Sequence, residues 1–157
     1  MERPAITVRS ATAADLPAIV ALLADDALGR EREDPRLPLA AGYLDAFAAI
    51  EADPNQVLAV ATEAGAVVGT LQLSFLPGLS HRGAWRGQIE GVRVAAARRG
   101  GGLGAELIGW AVEACRARGC RMVQLTTDKS RADAHRFYAR LGFRQSHEGF
   151  KLTLPAA

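Results

Sequence analysis

The spacing of hydrophobic residues changes several times along the chain, and each change marks a predicted helix, strand or loop. Residues 6–12 (ITVRSAT) alternate between apolar and polar side chains, which predicts a strand. Residues 13–25 then place apolar side chains on one helical face and carry a proline in the first turn. The charged stretch 26–38 contains two prolines and predicts a loop, before helical spacing returns over 39–53.

The middle of the chain predicts three strands followed by a long helix. Residues 55–75 contain two apolar, β-branched runs on either side of Glu63-Ala64-Gly65, which is the signal of a hairpin. A third strand is predicted over 83–94 (GAWRGQIEGVRV). Apolar residues then recur four apart over 103–118, and Gly119 ends this predicted helix.

The remaining residues predict a strand over 120–128, a short helix over 133–142 and a last strand over 143–154. No internal repeat or linker interrupts this order. The pattern therefore predicts one α/β domain over residues 1–157, built on a mixed sheet.

Composition narrows the class of protein. The 19 basic and 17 acidic residues leave a formal net charge of only +2, which argues against a nucleic-acid binder. No apolar run is long enough to span a membrane, and the N-terminus lacks the apolar core of a signal peptide. Cys115 and Cys120 form neither a disulfide framework nor a metal-binding cluster. We therefore expect a cytoplasmic protein without a metal, membrane partner or nucleic-acid partner.

The stretch AAARRGGGLGAELIGW (95–110) places four glycines just before and inside the start of the predicted long helix. A Walker phosphate loop is excluded because no lysine follows the glycines. Gly100, Gly102 and Ala105 match the dinucleotide fingerprint, but Ala95 to Arg99 separate them from the preceding strand, where that fold has no such insertion. A glycine-rich turn without a function is the third alternative.

The pattern Arg99-x-x-Gly102-x-Gly104 at the start of a helix has the properties of an anion site. The first backbone N–H groups of a helix have no partner within it, and the helix dipole adds partial positive charge. Glycines allow a diphosphate to approach the backbone closely, and Arg98 or Arg99 adds full positive charge.

This pattern resembles the pyrophosphate loop of the GNAT superfamily of acetyl-CoA-dependent N-acetyltransferases, [QR]xxGx[GA]. DAHRFYARLGF (133–143) resembles the same family's AxxFYxxxGF signature, with Phe137 and Tyr138 in place, and IEGVRV resembles its fourth strand. The resemblance covers nearly the whole chain. It departs at Arg131, where many members carry an asparagine.

The resemblance implies the GNAT fold, with antiparallel N-terminal strands, a splayed parallel pair and helices on both faces. It also implies acetyl-CoA as cosubstrate. The pantetheine arm would pair with the backbone of the fourth strand, much as an added strand does. The cofactor-binding residues that the resemblance implies are Val92, Arg93, Val94, Arg99, Gly100, Gly101, Gly102, Leu103 and Gly104.

Two residues are candidates for acid–base catalysis. The resemblance assigns Tyr138 as the general acid that protonates the CoA thiolate, whereas the helix alone would favour a packing role. On a regular strand Gln88, Glu90 and Val92 share one face, so Glu90 would point to the side of the acetyl group and act as the base. Its apolar strand neighbours would favour a protonated carboxyl. A structural role for Glu90, a base role for His147 and a water chain remain as alternatives.

The segment from Trp85 to the C-terminus is similar to aminoalkylphosphonate N-acetyltransferases and to small GNAT proteins, including the stretches DAHRFY and QSH. This favours a small-molecule amine as acceptor, and the resemblance leaves a homodimer open. The alternative is a domain that binds acyl-CoA as a sensor or partner module without turnover.

Overall fold

In this computed structural model, which describes residues 4–156, the chain forms two compact units. The first reaches Gln124 and the second begins at Leu125. The helices and strands are β1 Ile6–Ser10, α1 Leu16–Ala24, α2 Ala27–Arg32, α3 Ala41–Ala52, β2 Gln56–Glu63, β3 Ala66–Leu76, α4 Ser80–Gly83, β4 Arg86–Val94, α5 Leu103–Ala117, β5 Met122–Leu125 and α6 Ala132–Arg140. None of the helices in this range is long and apolar enough to cross a membrane.

The five strands form one mixed sheet in the order β1-β2-β3-β4-β5. Antiparallel pairing joins β1 to β2, β2 to β3 and β3 to β4. Arg121 N–H donates to the Trp85 carbonyl (2.8 Å), and the amide of Gln124 bonds that of Gln88 (2.6 Å). The bonded positions run from Trp85 to Gln88 on one strand and from Arg121 to Gln124 on the other, in the same direction, so β5 is parallel to β4. The α/β class with a mixed sheet is thus confirmed.

The hairpin predicted at Glu63-Ala64-Gly65 is confirmed. Glu63 pairs with Ala66, so Ala64 and Gly65 form a two-residue loop. Their φ angles are +48° and +80°, both in the left-handed region that such a loop requires. Glycine adopts this conformation without steric penalty, and the turn sets the register of the first pairs, before an irregularity between Ala61 and Thr62 shifts the register by one residue.

Helices cover both faces of the sheet. On the α5 face, Leu71, Leu73 and Ile89 are fully buried and Leu107 of α5 packs over Gly69. On the opposite face, here called the α1 face, Val60 packs with three buried residues of α1 and α3, which are Leu16, Ile19 and Phe47. The two layers leave β3 and β4 in the centre of the first unit.

Helix α5 approaches the sheet closely at Gly87, where a Cβ would overlap Sγ of the buried Cys115. We therefore expect Gly87→Ala to lower the free energy of unfolding by about 1–3 kcal/mol, the usual cost of overfilling a packed core. A fall of several degrees in melting temperature would show this. Gly109→Ala on the exposed side of α5 has open space and serves as control. Equal melting temperatures for the two variants would contradict the close approach.

Two predictions about secondary structure are wrong. The segment 26–38 is not all loop, because Asp26 caps the short helix α2 by accepting a hydrogen bond from the backbone N–H of Gly29. Residues 143–154 do not form a strand, although their alternation predicted one. Phe150, Leu152 and Leu154 are 95%, 87% and 78% exposed. Alternation alone does not supply the neighbouring edge that a strand needs for its hydrogen bonds.

Candidate active site

Strand β4 contains a β-bulge. Thr70 of β3 pairs with Arg93, whereas Gln72 pairs with Glu90, so β4 advances three residues while β3 advances two. Gly91 has φ of +60°, in the left-handed region that the first residue of a G1 bulge adopts. The extra residue of a bulge stays outside the ladder, so backbone groups next to Gly91 lack a partner on β3, and the Val92 carbonyl accepts instead from the Arg93 guanidinium (2.9 Å).

The bulge corrects the predicted face of Glu90. Residues that lie opposite each other in an antiparallel pair point to the same side of the sheet. Glu90 pairs with Gln72 and Arg93 pairs with Thr70, so Glu90 and Arg93 share the α1 face. The prediction that Val92 shares a face with Glu90 is therefore wrong, because the extra residue shifts the alternation by one position.

The surroundings of Glu90 also differ from the prediction. Its side chain is exposed, and Ile89, which precedes it on the strand, is buried on the α5 face. The apolar enclosure expected for this carboxylate is absent from the part of the chain that the structure describes. Gln88 shares the face of Glu90 and is half-buried.

The glycine loop has the geometry of an anion site. Gly100 and Gly102 have φ of +79° and +89°, and Gly102 caps the N-terminus of α5. A Cβ on either glycine would meet no described atom within 4 Å, so the backbone is open to a ligand. The first-turn N–H groups, beginning with that of Leu103, have no carbonyl partner within the helix. Glu106 N–H is the first to find one, at Gly102 O (3.1 Å).

Both arginines of the loop form ion pairs with acidic residues. Arg98 pairs with Glu63 at the end of β2. Arg99 donates to the carbonyl of Asp25 (3.1 Å) and to its carboxylate (3.4 Å), and both side chains are about half exposed. An exposed pair of this kind is weak, so an incoming diphosphate can compete for Arg99.

Two clefts border the loop. One, of about 470 Å³, lies between the α1–α2 region and Ala95-Ala96, and its lining includes Leu22, Asp25 and Arg30. The other, of about 500 Å³, lies on the side of Glu63 and the loop glycines. The second cleft therefore gives access to the backbone of the glycine loop, whereas the first reaches the chain only at Ala95 and Ala96, just before the glycines.

The junction of α1 and α2 is attached to β4 next to the bulge. Arg93 Nε lies 3.3 Å from the Asp26 carboxylate, and the Arg93 side chain is only 13% exposed. Leu23 lies 3.6 Å from the position that a Cβ would have on Gly91. Sequence reasoning missed Asp25 and Asp26 as partners of the cofactor segment, because nothing local relates positions so far apart in the chain.

In the second unit, α6 holds the predicted acid. Tyr138 is half-buried, and its ring packs edge-on against Phe137 (5.1 Å between centroids) and Phe143 (5.9 Å). Gly142, with φ of +93°, ends the helix and turns the chain so that Phe143 N–H donates to the Tyr138 carbonyl. The three aromatic residues of the signature, Phe137, Tyr138 and Phe143, thus form one cluster.

Arg131 and His147 also belong to this unit. Arg131 is the residue before α6, and its carbonyl accepts from His135 N–H (3.2 Å). Its backbone therefore begins the helix, whatever residue type the position carries. His147 is exposed, and its Nδ1 lies 2.6 Å from Ser146 Oγ.

The Cys115 thiol is buried, and the described residues contain no cluster of metal ligands. Burial raises the pKa of the Cys115 thiol to about 11, with a smaller contribution from neighbouring Cys120, so Cys115 stays protonated at neutral pH. Between residues 4 and 156 no group of three His, Cys, Asp or Glu side chains could hold a metal ion.

Comparisons with known proteins find relatives along nearly the whole chain. The chain is 35% identical over 151 residues to the aminoalkylphosphonate N-acetyltransferase of Salmonella typhimurium. The aligned region covers 96% of this chain and 93% of the Salmonella protein. A crystal structure from Bacillus halodurans C-125, described as a transcriptional regulator, superposes with a TM-score of 0.93 at 49% identity, covering 96% of this chain and all of that one. A putative acetyltransferase from Agrobacterium tumefaciens str. C58 gives 0.82 at 32% identity, covering 94% and 99%.

The sequence model of one family matches most of the chain, from residue 18 to residue 143. This range contains the β4 bulge, the glycine loop at the start of α5 and the aromatic cluster of α6. It therefore contains Glu90, Tyr138 and all of the predicted cofactor-binding residues, whereas His147 lies beyond it. By this match the chain belongs to the acetyltransferase (GNAT) family.

Proposed function

We propose that the protein transfers the acetyl group of acetyl-CoA to the primary amine of a small molecule by direct attack in a ternary complex. The observation that supports this best is the glycine loop of α5. It combines open N–H groups, two left-handed glycines and two arginines at one helix N-terminus. This is the set of groups that a diphosphate requires.

The bulge supplies the second part of the cosubstrate site. The pantetheine arm would pair with the backbone of Val92, Arg93 and Val94, as an added strand pairs with a sheet edge. A backbone N–H near Val92 would donate to the acetyl oxygen as negative charge develops there. The loop residues Arg99, Gly100, Gly101, Gly102, Leu103 and Gly104 would hold the diphosphate.

The proposed reaction needs one base and one acid. Glu90 removes a proton from the ammonium group of the acceptor, and the amine nitrogen bonds to the acetyl carbon. The nitrogen, now positively charged, loses a second proton to solvent, and the carbon–sulfur bond breaks. Tyr138 gives its phenolic proton to the CoA sulfur and regains a proton from solvent. No covalent enzyme intermediate is needed, in line with a Cys115 thiol that stays protonated.

The relatives support the proposed acceptor class. The Salmonella protein is described as acting on aminoalkylphosphonates, which are small amines, and its match covers nearly the whole of both chains. A small amine is therefore the proposed acceptor. The single domain over residues 1–157, the homodimer and the cytoplasmic location stay predictions.

The test is release of CoA across a panel of small amines, with aminoalkylphosphonates among them, together with calorimetry of acetyl-CoA binding. Turnover of at least one amine is expected. Binding of acetyl-CoA without turnover of any amine would favour the sensor alternative. The similarity to a protein described as a transcriptional regulator is a reason to test that alternative. Binding of NADH in place of acetyl-CoA would favour the dinucleotide alternative.

Gly102→Val should weaken acetyl-CoA binding by tenfold or more, equivalent to about 1.4 kcal/mol or more. The side chain would block the phosphate, and a β-branched residue is strained at the φ of +89° found there. Calorimetry checks the affinity, and the melting temperature checks that the variant folds. Gly102→Ala repeats the test with less strain, and Gly109→Ala in the same helix is the control. An unchanged affinity in folded Gly102 variants would refute the diphosphate assignment.

A further inference from the structure

The α1 face of the sheet carries a polar row, away from the apolar core around Val60. Gln56 of β2 pairs with Ser74 of β3, and Ser74 pairs with Gln88 of β4. Gln124 of β5 bonds Gln88 and extends the row to a fourth strand. These four residues are here called the amide row.

Hydrogen bonds orient the side chains of the row. Oε1 of Gln56 accepts from Ser74 Oγ (2.8 Å) and from Gln72 Nε2 (3.1 Å). Oε1 of Gln88 accepts from Gln124 Nε2 (2.6 Å). Since both carbonyl oxygens are occupied, the NH2 groups of Gln56 and Gln88 are left as donors.

The NH2 groups of Gln56 and Gln88 cost free energy if they are removed from water without gaining a hydrogen-bond acceptor. Elsewhere on the same face Val60 contributes to the packed core with Leu16 and Phe47. Gln56, Gln88 and Gln124 are only half-buried, so these amides lie where a small molecule can reach them. Amides that lose water without a new partner would destabilise the protein.

Glu90 lies beside the row. It is two residues from Gln88 on β4, on the same face, and it pairs across the sheet with Gln72. Two residues along a strand span about 6.6 Å. The donors at Gln88 and the carboxylate of Glu90 are thus separated by roughly the length of a short amine.

We infer that the amide row binds the oxygen-bearing end of the acceptor, which makes the substrate class a short amine with an oxygen substituent. This inference rests on the proposed function. The row donates N–H groups to hydroxyl or phosphonate oxygens while the amine lies towards Glu90. An alkyl amine of the same size leaves these donors unpaired, so it binds the transition state poorly.

The experiment compares kcat/KM for ethanolamine, 2-aminoethylphosphonate and propylamine. The wild type should prefer at least one of the two oxygen-bearing amines over propylamine by about 10²-fold or more. The other oxygen-bearing amine shows whether the row accepts a hydroxyl or a phosphonate. Gln88→Leu removes one donor, and Gln124→Leu releases the Gln88 amide from its fixed orientation. Each should therefore reduce this preference about tenfold, the size of one lost hydrogen bond, with the KM for acetyl-CoA unchanged.

A purely structural role would lower kcat/KM equally for all three amines and leave the preference intact, which would overturn the inference. So would a wild type without preference. Glu113→Leu, an exposed substitution on α5, is the control for an added apolar side chain. If the wild type acetylates no amine, the proposed function fails. Calorimetry of the three amines with CoA present then decides the inference, which an equal affinity for all three would overturn.

Discussion

Replacing Tyr138 by phenylalanine is expected to lower the turnover number by about 10²–10⁴-fold, the usual contribution of a positioned acid. Release of CoA as a thiolate ion costs free energy in a site from which water is excluded. A phenol bonded to the sulfur lowers this cost and then delivers its proton. The substitution removes the hydroxyl alone.

The packing around Tyr138 makes this a clean experiment. Its ring rests edge-on against Phe137 and Phe143, and both contacts use carbon atoms that phenylalanine retains. Acetyl-CoA affinity and melting temperature should therefore change little. Release of CoA is the measurement, under conditions in which the chemical step limits the rate.

Tyr43, the other tyrosine of the chain, offers a matched control. Its hydroxyl accepts a hydrogen bond from the backbone N–H of Asp34 (2.9 Å) and has no role in the proposed chemistry. Tyr43→Phe should leave turnover near the wild-type value. If Tyr138→Phe does the same, Tyr138 is not the acid, and water protonates the thiolate.

Glu90→Gln is expected to lower turnover by about 10²-fold or more at neutral pH, with little change in acetyl-CoA affinity. An alkyl ammonium has a pKa near that of lysine, about 10.4, so at pH 7 nearly all of the acceptor is protonated and needs a base. As the pH rises, more amine is already neutral. The deficit of the variant should therefore shrink with increasing pH.

The pH profile separates a base from a structural residue. Loss of a merely structural carboxylate would lower activity by a similar factor at every pH. Glu113→Gln, another exposed glutamate, controls for the loss of one negative charge. A wild-type profile in Glu90→Gln would contradict the assignment and leave His147 or a water chain as the base.

Local chemistry was enough to predict the segments whose conformation depends on their own residues. Ala64-Gly65 forms a tight hairpin because only two residues separate the strands and both adopt positive φ. The glycines before Leu103 begin a helix with an open N-terminus, as the pattern Arg99-x-x-Gly102-x-Gly104 predicted. The family itself was also predicted from this pattern and from the aromatic signature around Tyr138, and it is confirmed.

The side to which each β4 residue points was decided by pairing with another strand. A regular alternation predicts that Val92 lies on the same face of the sheet as Glu90. The bulge at Gly91 places Arg93 on that face instead. An isolated glycine inside a strand, such as Gly91, is a sequence signal of a bulge, but only the pairing with β3 shows where the two registers are mismatched. The amide row has the same origin: Gln56, Gln88 and Gln124 are far apart in sequence and meet only when the sheet forms.

The sequence by itself determined the fold class, the glycine loop and the family, because turn chemistry, helix periodicity and motif spacing are properties of neighbouring residues. Tertiary structure alone decided the bulge, the ion pairs of Arg93 and Arg99 with Asp26 and Asp25, and the lack of a strand over 143–154. Each of these depends on which distant segment lies alongside. Alternation can predict that a segment suits a strand, but only the folded sheet supplies the hydrogen-bonding partner.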